Sequence, residues 1–238
     1  MSLDEDPGSG NQRQAPHPRL LRSPSAQVMI WWCELDSAPA RVSAYECLLS
    51  DAERQRASRF GHPRLRDRYV VGRGSLRTIL GHELASEPAE VVIERGARGR
   101  PRLAGATRLD FNVSHTADVA IVGVVRAGRI GVDVERLDRA INTAGIARKF
   151  LTAAERVELE QLDTDTQRQR VLTLWTCKEA MSKATGDALS APFAAIDVDA
   201  NARRIRDGPP RYRPAQWALH PAHVPHAYVA TIALWNTD

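Results

Sequence analysis

The longest uninterrupted apolar run in this chain is VAIVGVV, Val119 to Val125. Seven residues is the length of a buried strand, whereas a membrane-spanning helix needs about 20 apolar residues. No membrane helix is therefore expected, and the chain has to bury strand-sized apolar pieces against amphipathic helices. With 238 residues, 43% apolar and 26% charged, it has the makings of one large soluble domain or two small ones. The N-terminus is acidic and then rich in Pro, Gly, Gln and Arg, without the charged head and apolar core of a signal peptide. A cytoplasmic protein is the expectation. Cys33, Cys47 and Cys177 are odd in number and too widely spaced for a CxxC pair, so neither a disulfide framework nor a cysteine metal site is expected.

Residues 1–26 read as a disordered tail, since no apolar periodicity runs through them. QVMIWWCEL then reads as a first strand. Ser50 and Glu53 form a capping-box signature for a short helix ending near Phe60. A second helix is expected from Pro63 to Glu83, its apolar stripe made by Leu65, Tyr69, Leu76 and Leu80 and another face carrying Arg66, Arg73 and Arg77. From Glu90 the pattern turns to strands: EVVIERG, a turn-prone GARGRPRL, LDFNVSH, VAIVGVV and IGVDVE. INTAGIARKF, a second capping box at Thr152 and Glu155, and VLTLWTCKEAMSKATG give three helices, the last ended by Gly186. AAIDVDA, RPAQWALH and HAYVATIALW close the chain as strands. Strands, helices, strands thus occur twice, which predicts an α+β fold of two similar lobes, 27–127 and 128–238, meeting near Arg126 to Arg129. The crevice between such lobes is a usual ligand site.

Cations are distributed unevenly. Arg54, Arg56, Arg59, Arg64, Arg66, Arg68, Arg73 and Arg77 fall within 24 positions, although the net charge is only +4. Such a cluster suits an anionic partner: nucleic acid, a phosphorylated small molecule or an acidic protein. The chain has three lysines against thirty arginines, and two of them, Lys178 and Lys183, flank Glu179 in LWTCKEAMSKATG. An ammonium, unlike a guanidinium, can have its pKa tuned and give up a proton. The pair therefore hints at proton transfer, against the simpler reading of an i,i+4 Glu-Lys pair on a helix surface.

In IGVDVE, Asp133 and Glu135 are two apart and share one face of a strand, while Val132 and Val134 turn to the other. Adjacent carboxylates repel unless a cation lies between them, and hard oxygen ligands suit Mg²⁺ or Mn²⁺. Two solvent-facing surface acids are the simpler alternative. Trp175, Glu179 and Lys183 are spaced i, i+4, i+8, so Glu179 and Lys183 share one side of a helix. If that helix lies on the IGVDVE strand, three carboxylates and an ammonium meet. Metal, base and leaving-group cation are the equipment that transfer from a diphosphate requires. His115 stands at a strand end, where a loop can project it toward the crevice. Arg95, Arg98, Arg100 and Arg102 around Gly99 offer guanidinium forks in a glycine loop, which suit phosphate as well as a solvated turn.

Together these pieces resemble the 4′-phosphopantetheinyl transferases, in the two-lobed form typified by the activator of surfactin synthetase. The motif GxDxE reads Gly131-Val-Asp133-Val-Glu135, and about forty residues on [FW]-x-x-KE-x-x-x-K reads Trp175-Thr-Cys-Lys178-Glu179-Ala-Met-Ser-Lys183. FNVSH, a GRP tripeptide where GKP is usual, and RKFLTAAE appear in the family's order, so the resemblance covers roughly Arg54 to Pro192. It implies two lobes related by a pseudo-twofold axis, with coenzyme A between them and Mg²⁺, or Mn²⁺, on its diphosphate. It implies metal ligation by Asp133, Glu135 and Glu179. Glu179 would be the base for a serine of an apo acyl, polyketide or peptidyl carrier protein, and Lys183 would bind the diphosphate and assist departure of 3′,5′-ADP. Asp133 and His115 complete the implied catalytic set. Coenzyme A would further meet Arg56, Arg59 and Arg68 at its 3′-phosphate and Gly99, Arg100, Pro101 and Ser114 along its adenine side, with Arg95, Arg98 and Asn112 as further binding residues and His115 a phosphate ligand. Members of this length are typically monomers, with neither membrane nor nucleic acid as partner.

Two rivals share some of these features. A metal-dependent nuclease would use the acids and the basic surface, but the E-x-K spacing common in such enzymes is missing. An arginine-rich nucleic-acid binder would explain the basic helix alone and would not depend on Asp133.

Overall fold

The computed structural model describes residues 18–96, 98–105, 107–140 and 142–236; the rest of the expected tail, 1–17, lies outside them. The fold is α+β, as expected. Two antiparallel sheets form its centre. The first has the order β1-β2-β6-β5, from β1 (Arg19–Leu20), β2 (Val28–Glu34), β5 (Asp110–Thr116) and β6 (Val119–Val125). The second has the order β10-β11-β7, from β7 (Arg129–Arg136), β10 (Trp217–Pro221) and β11 (Tyr228–Trp235). The inner faces of the sheets pack together through Val28, Ile30, Trp32, Ile121, Ile130, Val132, Val134 and Ile232, all buried. Val132 and Val134 therefore point into a core, leaving Asp133 and Glu135 on the opposite face of β7.

Each sheet carries one long helix on its outer face. On the first lies α3 (Pro63–Leu84), with Leu76, Ile79 and Leu80 in the core. On the second lies α6 (Thr164–Thr185), with Leu174, Cys177, Ala180 and Met181 in the core. Gly131 makes the second packing possible, because a Cβ there would stand 1.8 Å from the carbonyl oxygen of Ala180. Shorter helices α1 (Pro39–Glu46), α2 (Asp51–Ser58), α4 (Thr143–Phe150) and α5 (Ala153–Glu160) and the hairpins β3–β4 (Ile93–Arg95, Pro101–Leu103) and β8–β9 (Asp197–Asp199, Arg204–Asp207) complete the fold.

Both capping boxes form as read: Ser50 accepts from the Glu53 amide and Thr152 from the Glu155 amide, and each glutamate reaches back to its cap. Several boundaries differ from the sequence reading. β1 lies within the stretch assigned to the tail and pairs with Trp31 and Trp32 of β2. α1 has no side-chain cap and starts on Pro39, whose fixed φ suits a first helical turn. α6 begins seven residues before Val171, because the Asp163 carboxylate accepts hydrogen bonds from the amides of Asp165 and Thr166.

The sheets also meet edge to edge, through side chains. Asp110, Asn112 and Ser114, alternate residues of β5, accept hydrogen bonds from the amides of Ile130, Val132 and Val134 on β7, at 2.9, 2.9 and 3.3 Å. Arg100 locks one end of this seam. Its guanidinium donates to both oxygens of Asp110 and to the carbonyls of Phe111, Ile130 and Lys183, at 2.7–3.1 Å.

Candidate active site

Asp133 and Glu135 are almost fully buried where the last turns of α6 cross β7. Lys183 reaches across from α6 and donates to Asp133 Oδ1 at 2.6 Å and to Ser114 Oγ at 2.8 Å, while Ser114 donates to the same Asp133 oxygen at 2.8 Å. The other oxygen, Asp133 Oδ2, is buried without a hydrogen-bond partner, and so is Glu179 Oε1. Burial first, and the Asp133 charge second, push the Glu179 carboxyl up to about 7. Burial likewise raises Asp133, against the pull of Lys183. Glu135 accepts from Arg139 and from Thr116 Oγ1. His115 is surface-exposed on β5; partial burial, then the Lys183 ammonium, hold its imidazole below the ordinary value.

Strand, helix and seam thus bring Asp133, Glu135, Glu179, Lys183, Ser114 and His115 to one locality. Two orphaned carboxylate oxygens in a buried acidic cluster are costly without a positive partner. Among the described residues no three acidic, His or Cys side chains are already gathered as a metal cage. Lys183 and Arg139 stand instead against two of the carboxylates. The donor set still fits a hard divalent cation that takes few carboxylates and fills its shell with water or phosphate.

The arginines divide sharply. Arg68 forms a two-pronged bond with Asp36, which Arg64 also holds; together they keep that carboxyl well below the usual range. Arg73 and Arg77 clamp Glu53: burial pushes its carboxyl up, but Arg73, the Ser50 amide and Arg77 outweigh burial and hold it down. Arg54 pairs with Asp51 and Arg66 with Glu46. Of the eight clustered arginines only Arg56 and Arg59 form no ion pair among the described residues. Arg56 lies 5.5 Å over the Tyr69 ring, and its charge and that of Arg95 both act on the Tyr69 hydroxyl.

In the glycine loop Arg98 pairs with Asp187, Arg100 is the seam's lock, and Gly99 takes φ +78°. Asn112 has its side-chain oxygen engaged by the Val132 amide. Pro101 opens β4. Arg68, Arg98 and Arg100 therefore pair with carboxylates within the protein, whereas Arg56, Arg59 and Arg95 form no ion pair among the described residues. Sequence reading missed Asp110 and Asp187, whose arginine partners are 10 and 89 residues away, and Arg139, which folds back on Glu135 from the loop after β7.

Lys178 is the larger surprise. It is fully buried, on a different face of α6 from Lys183, and its ammonium donates to Glu155 Oε2 and to the carbonyls of Phe150, Phe193 and Ile196. It pins α5 and the chain around residues 193–196 to α6 and takes no part in the acidic cluster. The Thr152–Glu155 capping box was the available signal, since the same glutamate serves both.

Comparison with known proteins gives this site its family. The 4′-phosphopantetheinyl transferase superfamily profile matches residues 129–233, and a profile for the N-terminal part of a 4′-phosphopantetheinyl transferase matches residues 37–126. The chain is 35% identical over 178 residues to the 4′-phosphopantetheinyl transferase HetI of Nostoc sp., covering 74% of this chain and 75% of that protein. It is 29% identical to a putative 4′-phosphopantetheinyl transferase of Synechocystis sp., covering 81% and 78% of the two chains. To the transferase Sfp of Bacillus subtilis it is 25% identical, covering 63% and 66%. This chain belongs to the 4′-phosphopantetheinyl transferase superfamily and is an enzyme of that class. No helix among the described residues is long and apolar enough to cross a membrane.

Proposed function

We propose that the chain takes the 4′-phosphopantetheine group from coenzyme A and places it on a serine of an apo acyl, polyketide or peptidyl carrier protein, in the cytoplasm and as a monomer. The observation that carries this reading is the orphaned, buried Glu179 Oε1 beside the Lys183–Asp133 pair, in an enzyme of this family. The serine oxygen forms the new bond to the β-phosphorus. The bond from that phosphorus to the bridging oxygen breaks, and 3′,5′-ADP leaves with the electron pair. Glu179 takes the serine proton, a role suited to a carboxyl raised to about 7. Lys183 binds the diphosphate and offsets the charge that develops on the departing 3′,5′-ADP. Asp133, Glu135 and Glu179 would hold a divalent cation, Mg²⁺ or Mn²⁺, which when bound supplies charge neutralisation on the diphosphate. Arg56 and Arg59, the cluster's arginines without ion pairs, are the candidates for the 3′-phosphate.

The nucleic-acid reading loses support. It rested on the basic helix, and most of that helix's arginines have carboxylate partners within the protein.

The test is an intact-mass assay with coenzyme A, Mg²⁺ and apo carrier proteins, run beside Glu179→Gln. A gain of one phosphopantetheine arm on the carrier, absent with the variant, is the expected result. No gain on any carrier type, together with no binding of coenzyme A, would overturn the reading.

A further inference from the structure

Beside the second sheet, a cavity of about 570 Å³ that shares no lining residue with the acidic cluster opens between the N-terminal half of α6, the β8–β9 turn and β10. That volume is in the range of small-molecule sites. Its charged and titratable lining is wholly basic: Arg170 from α6, Arg203 from the turn and His220 from β10, with no Asp or Glu. The side-chain amides of Gln169 and Asn201 also line it, and Leu219 and Pro221 give it an apolar wall. The nearby Asp199 does not line the cavity; its Oδ1 accepts from the amides of Asn201 and Ala202.

Arg203 is the residue that makes this more than a basic groove. Its backbone is left-handed, with φ +48°, at a turn position where glycine would be free of strain. A non-glycine residue in this region persists only where the surrounding contacts hold it. Here Nη1 donates to Thr231 Oγ1 and to the Ala230 carbonyl, which fixes one edge of the guanidinium on the sheet beneath. Neither Arg203 nor Arg170 forms an ion pair with a carboxylate among the described residues, although sixteen other arginines do. A planar fork anchored on one side, with a second guanidinium on the same cavity, matches the oxygens of a phosphate group.

We propose that this cavity is a second ligand site, separate from the acidic cluster, that binds a small phosphate-bearing molecule through Arg170 and Arg203. The proposal stands whether or not coenzyme A is the substrate at the first site.

The experiment is calorimetric titration of the full chain with inorganic pyrophosphate, in metal-free buffer, with and without saturating coenzyme A. Coenzyme A is included because a phosphate site at the acidic cluster would otherwise contribute. Saturable pyrophosphate binding that survives coenzyme A is expected. Arg170→Glu, on a partly exposed helix face, should weaken it at least tenfold. Arg203→Gly, which relieves the turn while removing the guanidinium, should do the same. Arg19→Glu, on the other sheet, should have little effect and controls for net charge. Both cavity variants should bind coenzyme A as the parent does. Absence of binding, loss of all binding when coenzyme A is present, or equal affinity in the parent and both cavity variants would each overturn the proposal.

Discussion

Lys178 and Glu179 are neighbours in sequence and opposites in structure. The Lys178 ammonium meets a carboxylate and three carbonyls and has no exposed surface. Glu179, one residue on, holds an oxygen that is buried and has no partner at all. Both groups are ionisable and both resist burial: desolvation lowers Lys178 and raises Glu179. One site is closed by hydrogen bonds, and a closed site is architecture. The other keeps a buried acceptor without a donor near the Asp133 charge, and an unsatisfied acceptor can take a ligand.

The largest effect that would sharpen this contrast is on chemistry. Glu179→Gln should lower the rate of carrier modification by about 10²- to 10⁴-fold, the usual contribution of a positioned base, with no loss of melting temperature. A variant that melted well below the parent would mean that Glu179 is structural too, and the contrast would fail.

Lys178→Met should act the other way round. It leaves Glu155 buried without its cation, which typically costs about 3–5 kcal/mol, and urea unfolding should show it. Molecules that still fold should keep their affinity for coenzyme A. Near-parental stability with lost activity would move Lys178 into the reacting site.

Proton linkage separates the pair on a finer scale. Glu179 has a folded pKa of about 7, above its ordinary 4.5, so the folded state holds this proton more tightly than the unfolded state. Its contribution to stability therefore falls as pH rises from about 4.5 to 7 and is flat above that. In metal-free buffer the melting temperature of Glu179→Gln minus that of the parent should rise through the same window. A flat difference would place Glu179 in a more solvated setting.

The smallest effect is expected at the surface. Arg68→Ala removes a half-buried guanidinium from the Ala117 carbonyl and from a partly exposed Asp36 that Arg64 still holds, and should cost about 1 kcal/mol. It should also leave coenzyme A affinity nearly unchanged, since its guanidinium is already engaged. A large rise in the KM for coenzyme A would return Arg68 to the phosphate site that the sequence had suggested for it.

What was legible in the sequence follows from how local each cause is. Capping boxes, the DxE alternation and the helical spacing of Trp175, Glu179 and Lys183 depend on neighbours a few residues away, and all of them recur in the structure. The partners of the arginine cluster were not legible, because they are distant in sequence: Asp36, Glu46 and Glu53 lie up to 32 residues from the arginines they hold. The partners of Arg100 were hidden in the same way. A glycine-flanked arginine reads as a phosphate ligand, yet its acceptors come from β5, β7 and α6, which only the fold brings together. Lys178 shared a motif with Glu179 and Lys183 and was grouped with them, although adjacent positions on a helix point about 100° apart.

The seam between β5 and β7 bears on how this chain avoids sticking to itself. Each strand is the outermost of its sheet, a place where exposed amides and carbonyls invite pairing with another molecule. Asp110, Asn112 and Ser114 close one border with the other, so two vulnerable rims shelter each other only once both sheets stand side by side. A chain emerging from synthesis completes the first sheet before the second exists. For that interval β5 is an open rim, and the time it stays open sets the exposure of the nascent protein to aggregation.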